Sequence, residues 1–220
     1  MSRFEDNENV KKIFGDIIDL KSYEMMGKSK YDLVVREALD QIRRGNRGNA
    51  RQAVRRVVNM FPDEPAGYYL MMMTRADKET VGDEVDYAYK VLECAKGEER
   101  YIYLKAVYDE LSDRAKYVGY ASLRGSIRTY VEEKMSYKYV KESISTQQTV
   151  YWEALSDVVN HKEYIGYFER LMELLGKISA EGYDFTKDFN KLTKKVERDK
   201  KNYYDYIEEC KQKYKELSEN

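Results

Sequence analysis

The sequence predicts an all-α fold, and three observations carry that prediction. The 2 prolines, Pro62 and Pro65, stand together in one turn; Glu, Lys, Leu, Met and Ala are abundant; and apolar residues recur at spacings of three and four, not in strand alternation. The 22 tyrosines favour strands slightly, yet they fall at helical spacings, so packing and not propensity decides their structure. A chain of 220 residues can bury a core without staples, and its 42% hydrophobic and 13% aromatic content sets it apart from disordered chains. Lys and Arg number 39 against 40 Asp and Glu, for a net charge of -1. Any hold on nucleic acid or an acidic membrane must therefore come from a local patch.

The first helix is expected from about Asn9 to Met26, on the spacing of Val10, Ile13, Phe14, Ile17 and Ile18, with Gly27 and Ser29 closing it. A second carries Leu33, Val34, Ala38, Leu39 and Ile42 on one face and ends in the Gly45 to Asn49 turn, where glycine and asparagine tolerate positive φ. The third begins at Ala50, with Ala53, Val54, Val57 and Phe61 on its stripe. The turn from Pro62 to Pro65 stops it and starts the next helix near Ala66, because proline suits a first turn and breaks an interior. Short turns between such helices imply antiparallel neighbours.

The stretch from Val34 to Pro62 resembles a tetratricopeptide repeat. Ala38 in the first helix, the Gly45-Asn46 turn, Ala50 opening the second helix, Val54, Val57 and the closing Pro62 carry the resemblance. A second unit runs from Tyr68 to Arg75 and then through Ala88, Leu92 and Ala95 to Gly97, departing from the pattern in the longer Asp77 to Asp83 turn. A third pair, Tyr101 to Leu111 and Ala115 to about Tyr130, keeps only Ala106, Ala115 and Ala121. Small residues let paired helices approach closely, which is the physical content of the pattern. The resemblance implies antiparallel helix pairs over residues 1–135, with ligands on a concave surface lined by first helices. On the first unit that face is Val35, Leu39 and Ile42 beside Arg43, apolar enough to need a cover, either the N-terminal helix or a partner's amphipathic helix.

Repeat spacing is lost beyond about Met135, and residues 136–220 read as a C-terminal helical hairpin. One helix carries Val150, Trp152, Leu155, Val158 and Val159, and the next carries Ile165, Phe168, Leu171, Leu175 and Ile178 and ends at Gly182. The last, from near Asp184, sets Phe185, Phe189, Leu192, Val196, Tyr203, Tyr206, Cys210 and Leu217 in a coiled-coil-like heptad seam flanked by Lys191, Lys194, Lys195, Lys200 and Lys201. That seam needs a partner, the preceding helix or a second copy of the chain.

No catalytic, metal-binding or cofactor constellation is readable. His161 is the only histidine, placed beside Asn160 to cap a helix or stand in solvent, so neither a Ser-His-Asp arrangement nor a zinc site requiring several histidines can be assembled. Cys94 and Cys210 occupy apolar stripes and read as inert thiols. Their wide spacing, together with an N-terminal stretch that lacks an apolar segment behind a basic start, leads to the expectation of a soluble cytoplasmic protein that does not cross a membrane.

Arginine is concentrated at Arg36, Arg43, Arg44, Arg47, Arg51, Arg55 and Arg56, whereas other regions use mainly lysine. Guanidinium groups bind carboxylates and phosphates in bidentate fashion; the plainer reading is a solvated face salted against Asp32, Glu37, Asp40 and Asp63. The expected function is a non-enzymatic protein–protein interaction module, an adaptor, scaffold or inhibitor. Its surface would comprise Arg43, Arg44, Arg47, Arg51 and Arg55 with Val35, Leu39 and Ile42. Self-assembly through the C-terminal seam is the alternative. Nucleic-acid binding through Tyr137-Lys138-Tyr139, the Lys200 to Tyr206 stretch and the arginines ranks behind both, since acids interleave with these lysines.

Overall fold

The computed structural model describes residues 7–18, 28–45, 47–74, 81–117 and 119–219. Its regular elements are all helices: α1 (Glu8–Ile18), α2 (Lys30–Arg43), α3 (Arg47–Met60), α4 (Pro65–Met73), α5 (Val81–Cys94), α6 (Glu99–Tyr117), α7 (Tyr120–Ser136), α8 (Lys138–Lys141), α9 (Ile144–Asp157), α10 (His161–Glu181) and α11 (Tyr183–Ser218). The expected run of the first helix through residues 19–26, Gly27, Asn46 of the Gly-Asn turn and residues 77–80 of the long turn lie outside the described residues. Two compact units divide the chain, Met1–Glu110 and Leu111–Asn220, with the division inside α6.

In the first unit α2 opens with a capping box. The Ser29 hydroxyl accepts from the Asp32 amide at 3.1 Å and the Asp32 carboxylate accepts from the Ser29 amide at 3.2 Å. Gly45, with φ 71°, closes α2, so the positive φ expected at this turn is found. The following helix begins at Arg47, three residues ahead of Ala50, and the turn is correspondingly tight. α2 and α3 pack as a pair, burying Val34, Val35, Ala38, Leu39 and Ile42 against Ala50, Ala53, Val54 and Val57; α4 and α5 form a second pair. α4 comes close to α3 at Gly67. A Cβ there would stand 2.9 Å from a Val58 methyl and 3.2 Å from its backbone nitrogen, so only glycine fits. Phe14, Tyr69 and Tyr103 fill the centre, with ring centroids 6.3 and 6.2 Å apart.

Several helix ends share a device. The last carbonyls of a helix have no intrahelical donor and carry partial negative charge, so a cation from a neighbouring segment satisfies both. Arg36 donates to the carbonyls of Ile17 (2.8 Å) and Ile18 at the end of α1. Arg51 donates to those of Met71 (2.7 Å) and Thr74 (3.5 Å) at the end of α4, and Arg100 to those of Leu92 (2.7 Å) and Ala95 (2.9 Å) at the end of α5. In the second unit Lys195 donates to the Lys116 carbonyl at 2.8 Å, at the end of α6.

The second unit is organised around α11, whose 36 residues extend about 54 Å at 1.5 Å per residue. It packs against α7, α9 and α10, and buries Phe185, Leu192, Tyr203, Ile207 and Cys210. The heptad seam is thus covered within this unit, by three helices instead of the single preceding one. Two further differences from the expected layout have local causes. α6 continues through Tyr117 instead of breaking between Leu111 and Ala115, because Ser112, Asp113 and Arg114 do not stop a helix and Gly119 does. α7 lies within the second unit, although repeat spacing fades only near residue 135, because Leu123, Ile127 and Val131 are buried and α7 packs on α9 and α11. On α9 the buried positions are Val150 and Ala154, while Trp152 is 57% exposed.

Candidate functional site

The arginine cluster of α2 and α3 separates into residues that hold the fold and residues that face solvent. Arg51 is buried: besides capping α4 it donates to the Tyr87 hydroxyl at 3.2 Å, and its guanidinium lies 5.3 Å from that ring centroid. Arg36 caps α1 and meets Asp40 at 3.3 Å, Arg43 reaches the same carboxylate at 3.8 Å, and Arg56 pairs with Glu37 at 2.9 Å. The Arg47 side chain lies outside the described residues. Arg44 and Arg55 are exposed, and neither has an acidic partner among the described residues.

Val35 and Leu39 are fully buried and Ile42 nearly so, and α1 packs against α2. These three side chains, like Arg51, belong to the interior. The surface that α2 and α3 do present is a polar groove of about 540 Å³ along the seam between them. Glu37 and Gln41 of α2 face Asn49, Gln52, Arg56 and Asn59 of α3, with Arg55 on the lining and Ala53 among the lining residues. Four amides, each able to donate and accept, beside an arginine without an acidic partner suit a polar or anionic ligand surface. The amides were not legible as a site because they carry no charge; their one sequence signal is the helical spacing of Asn49, Gln52, Arg56 and Asn59 on α3.

In the second unit His161 is buried, not capping or solvated. Its Nδ1 is 3.0 Å from the Tyr203 hydroxyl and its Nε2 is 3.4 Å from Asp157, so the imidazole bridges a fully buried phenol and a half-exposed carboxylate. Burial, then Tyr204 and Asp157, pushes the Tyr203 phenol up to about 12. Tyr120 donates to Glu169 at 3.0 Å, and Lys200 reaches the same carboxylate at 3.3 Å. These contacts tie the buried His161, Tyr203 and Tyr120 to carboxylates at the surface. The Cys94 thiol is pushed up by burial and by Asp63 and Glu93, and that of Cys210 by burial, which favours the protonated thiol in both. Among the described residues no group of three His, Cys, Asp or Glu could hold a metal ion, and no helix is long and apolar enough to cross a membrane. Tyr137 and Tyr139 are exposed and stacked, with centroids 5.8 Å apart, and Lys138 between them reaches Glu142 at 3.7 Å.

Comparison with protein-family models, with curated proteins and with solved structures gives no match for this chain.

Proposed function

We propose that this protein is a non-enzymatic protein–protein interaction module, an adaptor, scaffold or inhibitor of the cytoplasm, whose partner docks on the α2–α3 face. One observation carries the reading: Arg44 and Arg55 stand exposed with no acidic partner among the described residues, Arg55 on the lining of an amide-rich groove, while Arg36, Arg43, Arg51 and Arg56 are engaged by the protein's own carbonyls and carboxylates. Unsatisfied guanidinium groups orient an acidic partner, and the amides add directional hydrogen bonds. A tetratricopeptide-like origin for the first unit is part of the proposal. It draws support from the consecutive α2–α3 and α4–α5 pairs and from small residues, Ala38, Ala50 and Gly67, at packed positions.

Self-assembly through the α11 seam has less support, because the seam's large side chains are buried in their own unit. The test is affinity capture from lysate of the source cells with the wild-type chain and with Arg44→Glu/Arg55→Glu. The expected result is one stoichiometric protein that the double variant fails to hold, with circular dichroism unchanged. Equal recovery by both chains would remove the α2–α3 face from the reading.

A further inference from the structure

The longest helix carries a charged surface that neither the packing of the second unit nor the α2–α3 groove uses. Lys187, Lys191, Lys194, Arg198 and Lys201 follow one another on α11 at alternating steps of four and three residues, which places all five on one face. Every one of them is exposed. That face lies opposite the side that buries Phe185, Leu192 and Tyr203. Between Lys187 and Lys201 the acids Asp188, Glu197 and Asp199 stand on the flanks, and Asp184 and Asp205 bound the ridge at its ends. Lys191 reaches Asp188 at 3.6 Å, Arg198 reaches Asp199 at 3.6 Å and Lys201 reaches Asp205 at 2.5 Å, while Lys187 and Lys194 have no acidic partner among the described residues. The ridge is about 21 Å long at 1.5 Å per residue. Cations one turn apart along it are separated by about 5–6 Å.

We propose that this ridge binds the phosphate backbone of a nucleic-acid duplex without reading its sequence. Charge complementarity selects the occupant: five exposed cations in a row along one helix face match a line of regularly spaced phosphates. The absence of aromatic side chains from the ridge argues against single strands, whose bases need stacking platforms. The ridge carries no apolar side chain that could enter a bilayer, because the apolar side of α11 is occupied by α7, α9 and α10. Contacts of this kind position a protein on a duplex but carry no sequence information. The near-zero net charge of the chain is compatible with this, since the field that matters is local.

The test is fluorescence anisotropy of the full-length protein with a fluorescein-labelled 20-base-pair DNA duplex, at salt concentrations from 25 to 200 mM. Three to five phosphate contacts give a slope of log K against log salt of about −3 to −4.5. Lys187→Glu/Lys194→Glu lowers affinity at least about tenfold and makes the slope shallower by about 2. Lys215→Glu, on the same helix but off the ridge, changes affinity less than threefold, and far-UV circular dichroism is unchanged in both variants because the side chains are exposed. Absence of binding at 25 mM salt, binding insensitive to Lys187→Glu/Lys194→Glu, or firmer retention by vesicles of phosphatidylserine and phosphatidylcholine than by the duplex would each overturn the proposal.

Discussion

Arg51→Met lowers the unfolding free energy of the first unit by about 3 kcal/mol, the cost of removing charge-assisted hydrogen bonds and leaving their partners unsatisfied. The methionine fills much of the volume but donates nothing. The Met71 carbonyl at the end of α4 and the Tyr87 hydroxyl on α5 both lose the group that joins them to α3. Urea unfolding followed by circular dichroism measures the loss, and amide exchange places it in α4 and α5. Arg55→Glu, four residues and about one turn further along the same helix, leaves the urea midpoint nearly unchanged, because exposed substitutions away from such contacts fall within about 0.5 kcal/mol. Equal destabilisation by the two variants would show that the division of the arginines is wrong.

Gly119→Ala destabilises the second unit by about 4 kcal/mol, the sum of a backbone term and an overpacking term. Gly119 lies before the first residue of α7 with φ 130° and ψ -157°, a conformation that residues with a Cβ rarely adopt. An added Cβ would stand 2.8 Å from two ring carbons of Phe168. That ring is buried and packs edge-on against Tyr120 at 5.8 Å, so it has nowhere to turn. The same substitution at Gly125 meets nothing within 4 Å, in the middle of α7, and is expected to be neutral or mildly stabilising. Trp152 lies in the second unit, and its fluorescence during urea unfolding follows this pair of variants. A Gly119→Ala midpoint matching that of Gly125→Ala would contradict the account of the α6–α7 junction.

Helices were legible where their apolar residues repeat locally. On α2, α3, α10 and α11 the structure buries much of the stripe predicted from spacing, including Val34, Leu39, Val54, Leu171, Ile178 and Tyr203, but Leu33 stands 40% exposed and Phe61, Ile165, Phe189 and Val196 are only partly buried. Where a boundary depends on the absence of a breaker, spacing misled: α6 runs on to Tyr117 and α8 is too short to leave a periodic signal. His161 could not be placed from sequence because its partner Tyr203 lies on another helix, 42 residues away. The arginines posed the same difficulty. Their clustering is visible in the sequence, but the fate of Arg51 is set by the carbonyl of Met71, which comes within reach only after α3, α4 and α5 have packed. The α11 ridge required knowledge of which side the core takes, since lysines and acids alternate so closely that a charge count cancels.

Hydrogen–deuterium exchange of the protein alone and with the partner recovered from lysate tests the central claim most directly. Protection is expected between Glu37 and Asn59, in α2 and α3, and Arg44→Glu/Arg55→Glu abolishes it. Protection confined to residues 137–159 or to α11 would place the partner on the second unit and contradict the assignment of the α2–α3 face.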